Sequence, residues 1–221
     1  MNILRTAIFS TLCIVAAASA LVVTSRQDFV RRDNVQQEFV TQKLGAHIYV
    51  IPKGILESIY KPDYSRDPNP NPAWPHEAVI RLFVRWPDFS APPKSNQLDD
   101  AKNRLLISLG SLKELPVTSV EKIIANRKNN DSKFAMHQAA FGLTELYDRD
   151  TGFGWHRYVA SPSPTVEFEI VCFPPGPVGG GCQFEVGYSD LKLVVVFSSD
   201  HLIHWKNLYE NTTRLIDLLR K

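Results

Sequence analysis

The chain has 221 residues, of which 44% are hydrophobic and 22% are charged, and its formal net charge at pH 7 is +2. This is an ordinary globular composition, and the chain is long enough to bury a sizeable core in one large domain or two small ones. The net charge is too small to favour nucleic acid or another acidic polymer as a partner, so we expect no nucleic-acid binding.

The N-terminal segment is the clearest indication of where the protein resides. Residues 6–24 carry no charge. One interpretation is a cleaved signal peptide, since residues 18–20 read Ala-Ser-Ala and match an A-x-A cleavage site. The other is an uncleaved anchor, because the segment is just long enough to span a bilayer and its apolar run continues through residues 21–23. We assign residues 1–25 to a signal peptide or a membrane anchor, and predict that the segment stays attached in the inner membrane.

The cysteines favour export of the folded part. Cys13 lies inside the apolar segment and is poorly placed for lipid attachment, because the apolar run continues well past it. Cys172 and Cys182 remain as two thiols placed to pair, and a structural disulfide implies an oxidising compartment, here the periplasm. The arginines that follow the apolar segment do not favour export by the positive-inside rule, so this conclusion depends on the disulfide.

The first part of the body is short of regular patterns. Residues 26–43 are predicted as a spacer and residues 44–221 as a single α+β domain. Residues 44–52 predict a strand ended by proline, and residues 54–60 a short helical turn. Repeated prolines deny regular hydrogen bonding to residues 61–75, which predicts a loop.

The next part of the chain alternates predicted strands with polar loops. Residues 78–86 carry apolar side chains at every second position, which is typical of a half-buried strand. The further predictions are, in chain order, a proline-containing loop at 87–100, a short strand at 104–109, a helix at 116–126, a turn at 129–132, an undecided segment at 134–138, a hairpin of 142–148 and 155–160 around a turn at 149–152, and a separating segment at 161–164.

The last quarter of the chain carries the strongest patterns. In residues 166–172 and 182–188 apolar side chains recur with a period of two, which predicts two half-buried strands joined by the loop at 173–181. Cys172 and Cys182 lie on the apolar faces of these strands at the two ends of the loop. Cross-strand partners on one face lie close enough for a disulfide, so the sequence predicts a disulfide-closed hairpin.

A buried strand and a helix complete this unit. Residues 191–197 are apolar on both faces, as in an interior strand. Residues 198–200, Ser-Ser-Asp, supply N-cap chemistry for a closing helix. Its apolar side chains recur at steps of three and four: Leu202, Trp205, Leu208, Tyr209, Thr212, Leu215, Ile216 and Leu219. The predicted fold class is α+β, a mainly antiparallel sheet with a C-terminal covering helix.

Candidate catalytic and metal patterns are weak. His201 and His204 form a possible metal pair, but no third ligand is placed by the sequence. Ser119 and Lys122 match Ser-x-x-Lys without its companion motifs. The glycines of the loop at 173–181 lack the lysine and the following helix of a phosphate-binding loop. We predict no catalytic residue, no metal ligand and no cofactor, and therefore a protein that is not an enzyme.

Two sets of charged side chains are expected to be solvated. Glu167 and Glu169 lie on the polar face of a predicted strand, where an exposed position is the default. Arg127 and Lys128 form an isolated basic pair. Neither set is predicted to be functional.

Several short segments together resemble a known class of proteins. After the N-terminal export segment come Tyr-Val-Ile-Pro-Lys-Gly-Ile-Leu at 49–56, Arg-Leu-Phe-Val-Arg-Trp-Pro-Asp-Phe at 81–89, the hairpin of Cys172 and Cys182, and Leu-Ile-His-Trp at 202–205. In this order they resemble small exported bacterial proteins encoded beside type VI secretion effectors, which act as immunity proteins. The resemblance implies a periplasmic protein that blocks a cognate toxic effector by direct binding, with no catalytic residue.

Three functions are compatible with these patterns. The preferred one is an immunity-type protein that neutralises a secreted toxin; the alternatives are a membrane-anchored envelope or secretion-system accessory subunit, and an exported hydrolase with an unrecognised site. Toxin binding predicts contacts from rigid, proline-rich loops, which lose little entropy when they bind. The candidate partner-binding residues lie in two such loops and are Lys61, Tyr64, Arg66, Pro177, Gly179 and Gly180.

Overall fold

The computed structural model describes residues 38–60, 78–92, 102–112, 117–148, 153–174 and 180–221. These residues form a nine-stranded sheet and a separate two-stranded sheet, covered by helices. The strands are β1 (Phe39–Leu44), β2 (His47–Pro52), β3 (Leu56–Tyr60), β4 (Val79–Arg85), β5 (Arg104–Ser111), β6 (Ala135–Gln138), β7 (Thr144–Tyr147), β8 (His156–Ser163), β9 (Val166–Cys172), β10 (Gly181–Tyr188) and β11 (Leu191–Ser198). The helices are α1 (Val120–Asn130) and α2 (Trp205–Leu219), with 3₁₀ turns at Ala140–Gly142 and Ser199–His204.

The nine-stranded sheet is antiparallel throughout, in the order β3-β4-β5-β11-β10-β9-β8-β7-β6. Strand β11 pairs with β5 on one side and β10 on the other, which confirms the interior strand predicted from its apolar run. The predicted pairing of the β7–β8 hairpin is also confirmed. The α+β class with a mainly antiparallel sheet therefore holds.

The core lies between one face of this sheet and α2. A row of register partners crosses five strands and is at most 1% exposed: Ile170, Phe184, Val195, Ile107 and Leu82. Helix α2 covers this face with the predicted apolar stripe, and its buried side chains are Trp205, Leu208, Thr212, Thr213, Leu215, Ile216 and Leu219. Each fully buried large apolar side chain contributes about 1.5–3 kcal/mol, so the covering helix is a major part of the stability.

The strand predicted at residues 44–52 is the second half of a hairpin, and the predicted spacer at 26–43 overlaps its first strand, β1. The turn depends on Gly45, whose φ of +59° lies in the left-handed region. A Cβ at Gly45 would lie 2.6 Å from Oδ2 of Asp190, which also accepts a hydrogen bond from the backbone N–H of Ala46 at 3.2 Å. This turn is therefore fixed by a distant contact that local alternation does not reveal.

Other differences from the predictions occur where local patterns are weak. The segment at 54–60, predicted as a helical turn, contains β3. The helix predicted at 116–126 runs instead from Val120 to Asn130, into the predicted turn at 129–132. The undecided segment at 134–138 contains β6, and residues 161–163 continue β8 rather than separating two units. Strands β3 and β6 are the two edges of the sheet. Because an edge strand has one partner and is little buried, its sequence carries little of the alternation on which the prediction rests.

Candidate protein-interaction site

The two candidate loops attach to opposite ends of the sheet. The loop at 61–75 follows β3, whose last residue pairs with Val79 at the start of β4. The loop at 173–181 joins β9 to β10. The register through β11 and β5 places that junction at the same end of the sheet as Arg85, which is the other end of β4. At 3.3 Å per residue, a strand of seven residues is about 20 Å long. The residues that flank the two loops are thus separated by the length of a strand.

Of the predicted partner-binding residues, Gly180 is described, whereas Lys61, Tyr64, Arg66, Pro177 and Gly179 lie outside the described residues. The carbonyl oxygen of Gly180 accepts hydrogen bonds from the backbone N–H and the hydroxyl of Ser199, at 3.2 and 3.4 Å. A Cβ at Gly180 would lie 2.9 Å from Oγ of Ser199. The glycine therefore ties the base of the loop to the turn before α2.

The predicted disulfide is present at this end of the sheet. Cys172 and Cys182 are register partners with Cα atoms 4.0 Å apart, and their sulfur atoms are bonded. Next to the bridge, the rings of Phe173 and Trp155 lie edge to face with centroids 4.8 Å apart. Phe153, just before β8, is 76% exposed. We call the surface of Phe153, Trp155, Phe173 and Gly180 the disulfide end.

One face of the outer strands is closed by ion pairs to helix α1. Arg127 of α1 donates a hydrogen bond to the carboxylate of Asp148, which is 3% exposed. On β9, the carboxylate of Glu169 lies 3.9 Å from Nε of Arg127 and 3.4 Å from Nη1 of Arg157. The expectation that Arg127 and Glu169 are solvated is therefore wrong, since helix and sheet bury them together. Glu167 is exposed as expected. We call this the covered face.

The opposite face of the same strands carries a carboxylate of a different kind. Glu145 on β7 is the register partner of His137 on β6 and of Tyr158 on β8. Its Oε1 lies 2.8 Å from Nδ1 of His156, whose ring stacks on Tyr158 at a centroid distance of 6.3 Å. The ring of Tyr147 meets that of His137 at 5.9 Å. We call these five side chains the Glu145 cluster and their side of β6–β8 the open face.

The open face continues the face on which α2 packs. Its strands lead into β9, where Phe168 contacts Tyr209 and Trp205 of α2 at ring-centroid distances of 5.5 and 6.2 Å. Beyond that contact, the side chains of His156 and Glu145 remain 44% and 23% exposed. In the described ranges His156 is the ion-pair partner of Glu145, and no lysine or arginine there pairs with it.

The electrostatics of the open face centre on Glu145. Burial raises the pKa of Tyr158 above its ordinary value, and the negative charge of Glu145 raises it further. The phenol therefore stays neutral at physiological pH and can donate a hydrogen bond.

The other candidate chemistry has structural uses. His201 donates from Nε2 to the carbonyl of Lys102 at 2.9 Å, and its ring centroid lies 6.5 Å from that of His204. Within the described ranges, no group of three or more possible ligands is placed to hold a metal. Ser119 is the N-cap of α1, where its hydroxyl accepts the backbone N–H of Lys122 at 3.4 Å. The hydroxyl of Ser119 is therefore used to cap a helix.

The described part of the chain contains no helix long and apolar enough to cross a membrane. Residues 6–24, for which the anchor is predicted, lie outside that part.

The fold has a counterpart among solved structures. No protein-family model matches the chain, and no curated protein sequence does. The structure is similar to that of an immunity protein of the Stenotrophomonas maltophilia type IV secretion system, with a TM-score of 0.53 and 16% sequence identity. The similarity covers 84% of this chain and 94% of that chain. At this identity the similarity shows a shared fold. The similar protein is an immunity protein of a type IV rather than a type VI system.

Sequence reasoning missed both the ion pairs of the covered face and the Glu145 cluster. The hairpin of 142–148 and 155–160 was predicted, and its pairing could have indicated that Glu145 lies opposite Tyr158. The pairing with His137 was not, because β6 lies in the segment that has no clear period.

Proposed function

We propose that the chain is an immunity-type protein, which binds and neutralises a secreted antibacterial toxin without a catalytic step. The observation that carries this proposal is the fold shared with a secretion-system immunity protein over most of both chains. The resemblance of the sequence segments to exported immunity proteins supports it independently.

We place the protein in the periplasm, held in the inner membrane by residues 6–24. The Cys172–Cys182 disulfide supports an oxidising compartment. The uncharged length of residues 6–24 supports an anchor, and a new N-terminus at Leu21 in the purified protein would show that it is instead a cleaved signal peptide.

The disulfide end is the surface that we assign to toxin contact. Aromatic residues are enriched in the cores of protein interfaces, and tryptophan is among the residues that contribute most binding energy there. Phe153 and Trp155 are exposed here beside a hairpin tied by a covalent bridge. Pro177, Gly179 and Gly180 belong to the loop at this end. Lys61, Tyr64 and Arg66 belong to the loop attached at the other end, and we propose them as a secondary contact.

Co-expression with the effector encoded by the neighbouring reading frame tests the function. The full chain should co-purify with that effector and restore growth to cells that produce it in the periplasm. Phe153→Ala and Trp155→Ala should weaken both effects, whereas the exposed Lys206→Ala, on α2, should not. Co-purification with envelope or secretion-machinery components and no protection would indicate an accessory subunit instead. Turnover of an envelope substrate by the chain alone would indicate a hydrolase.

We further propose that a type VI secretion system delivers the toxin. The sequence resemblance supports a type VI system, whereas the structural neighbour serves a type IV system. A susceptible strain that lacks the chain should be killed by donors with an intact type VI apparatus and spared by donors without it. Killing that depends on a type IV apparatus would contradict this part alone.

A further inference from the structure

The carboxylates of the outer strands differ in the kind of counter-ion that pairs with them. On the covered face, Asp148 and Glu169 are neutralised by arginines of the same chain, Arg127 and Arg157. On the open face, Glu145 is only 23% exposed and pairs with an imidazole. A partly buried carboxylate is costly to desolvate unless a cation and hydrogen-bond donors compensate it. Among the described residues no guanidinium pairs with Glu145, whereas guanidinium groups pair with both carboxylates of the covered face.

The surroundings of Glu145 have the chemistry of a cation site. Four aromatic rings share this face with the Glu145 side chain: His137 and Tyr158 at the paired positions of the neighbouring strands, Tyr147 two residues along β7, and His156 in hydrogen-bond contact. A guanidinium stacks on aromatic faces and donates in its plane to a carboxylate, and cation–π contacts involve arginine more often than lysine. His156 engages Oε1, and the ring of Tyr147, a residue that is 43% exposed, stands two residues along β7 on the same face as Glu145.

We propose that the Glu145 cluster binds an arginine side chain of the partner protein, with Glu145 as counter-ion and the ring of Tyr147 as stacking surface. The inference rests on the proposed function for the identity of the partner, the toxic effector. The Glu145 cluster would form a second contact next to the disulfide end, because His156 is the register partner of Cys172.

A small-molecule titration tests the site without the effector. The probe is N-acetyl-arginine amide, and its control is N-acetyl-citrulline amide, which has the same shape and no charge. The full chain is held in detergent and followed by the NMR signals of its histidine rings. The arginine probe should shift the signals of His137 and His156 and saturate, while the citrulline probe should not. Loss of the shifts in Glu145→Gln and their retention in Glu167→Gln, an exposed carboxylate on the other face, are expected.

Two results of this titration would overturn the inference. One is the absence of any shift up to about 50 mM arginine probe, because a site with a Kd of about 10 mM would already be mostly occupied at that concentration. The other is a stronger response to choline than to arginine, which would assign the rings to a small quaternary ammonium ligand.

The affinity for the effector tests the biological role. Removing the charge with Glu145→Gln should weaken binding about tenfold to a hundredfold, the usual effect of losing a hydrogen bond to a charged group. Glu167→Gln should leave the affinity within twofold. If Glu145→Gln lowers the melting temperature, Tyr147→Leu takes its place, and an expected loss of about 3- to 30-fold reflects the stacking alone.

Failure of this inference and failure of the proposed function are distinguishable. Equal affinity of the wild type, Glu145→Gln and Tyr147→Leu for the effector would sink the inference and leave the function intact. If the wild type binds no effector, the proposed function fails, and the arginine titration still decides whether Glu145 binds a cation.

Discussion

The two faces of strands β7–β9 put similar carboxylates to different uses. On the covered face, Arg127 of α1 closes on Asp148 and Glu169, so that the charges tie a helix to the sheet. On the open face, Glu145 lies among aromatic side chains and its side chain is 23% exposed. The period of two sends neighbouring residues of one strand to the two sides. Burial under a helix thus makes the charges of Asp148 and Glu169 structural, whereas the side chain of Glu145 remains partly exposed.

Removing the side chain of Trp205 should have the largest effect on stability, because it is buried where the core under α2 ends and the open face begins. It is 6% exposed, contacts Phe168, and donates from Nε1 to the carbonyl of Phe141 at 2.9 Å. Trp205→Ala should cost about 3–5 kcal/mol of unfolding free energy, measured by chemical denaturation. A variant that unfolds like the wild type would mean that α2 does not cover the sheet.

Breaking the covered face should come next. Removal of one partner from a buried ion pair costs about 3–5 kcal/mol, and Arg127 is one-fifth exposed, so Arg127→Met should cost about 3 kcal/mol. Lys128→Met, on the exposed side of the same helix, is the matched control and should change stability by less than about 0.5 kcal/mol. Equal effects of the two variants would show that the arginine is not structural.

Opening the disulfide should affect stability somewhat less, and it should also weaken the binding of the effector. For cysteines separated by 10 residues, the chain-entropy model gives about 2.8 kcal/mol as an upper figure. The Cys172→Ala, Cys182→Ala double variant should therefore melt lower and bind the effector more weakly, since the disulfide end is the proposed contact.

Non-reducing mass spectrometry of periplasmic material should find the protein two hydrogens lighter than its reduced form. Two free thiols there would remove the main argument for export.

A site away from both faces provides the smallest effect. Tyr188 donates to Asp217 of α2 at 2.7 Å, and burial together with this hydrogen bond raises its pKa to about 12. The folded state thus holds the phenol proton more tightly than the unfolded state, whose pKa is near 10. This stabilisation is complete below about pH 10 and is lost as the pH rises towards about 12.

The variant Tyr188→Phe should therefore lose about 1 kcal/mol at neutral pH and show a shallower loss of stability above pH 10. Denaturation measured from pH 8 to 12 checks this. An alkaline profile identical to the wild type would mean that other tyrosines dominate it.

The sequence predicted the parts of the fold in which period and burial coincide. The alternation in β9 and β10 placed both cysteines on one face, and the apolar run of β11 placed it inside the sheet. It failed where a distant residue decides the local structure. The turn at Gly45 depends on Asp190, and the edge strands β3 and β6 depend on single partners.

The candidate site was less predictable than the fold for the same reason. Its exposed aromatic side chains become one surface only through the register of β6, β7 and β8, and Arg127 finds its partners only when α1 packs on the sheet. Loop composition, on which the sequence prediction relied, does not show that its two candidate loops attach to opposite ends of the sheet.

The most direct test of the contrast between the two faces measures stability and effector affinity on the same pair of variants. Arg127→Met should lower the unfolding free energy by about 3 kcal/mol and leave the affinity of the folded protein within twofold. Glu145→Gln should leave the unfolding free energy within about 1 kcal/mol and weaken the affinity at least tenfold. The reverse pattern, with Glu145→Gln unstable but fully binding and Arg127→Met stable but unable to bind, would contradict the assignment of the two faces.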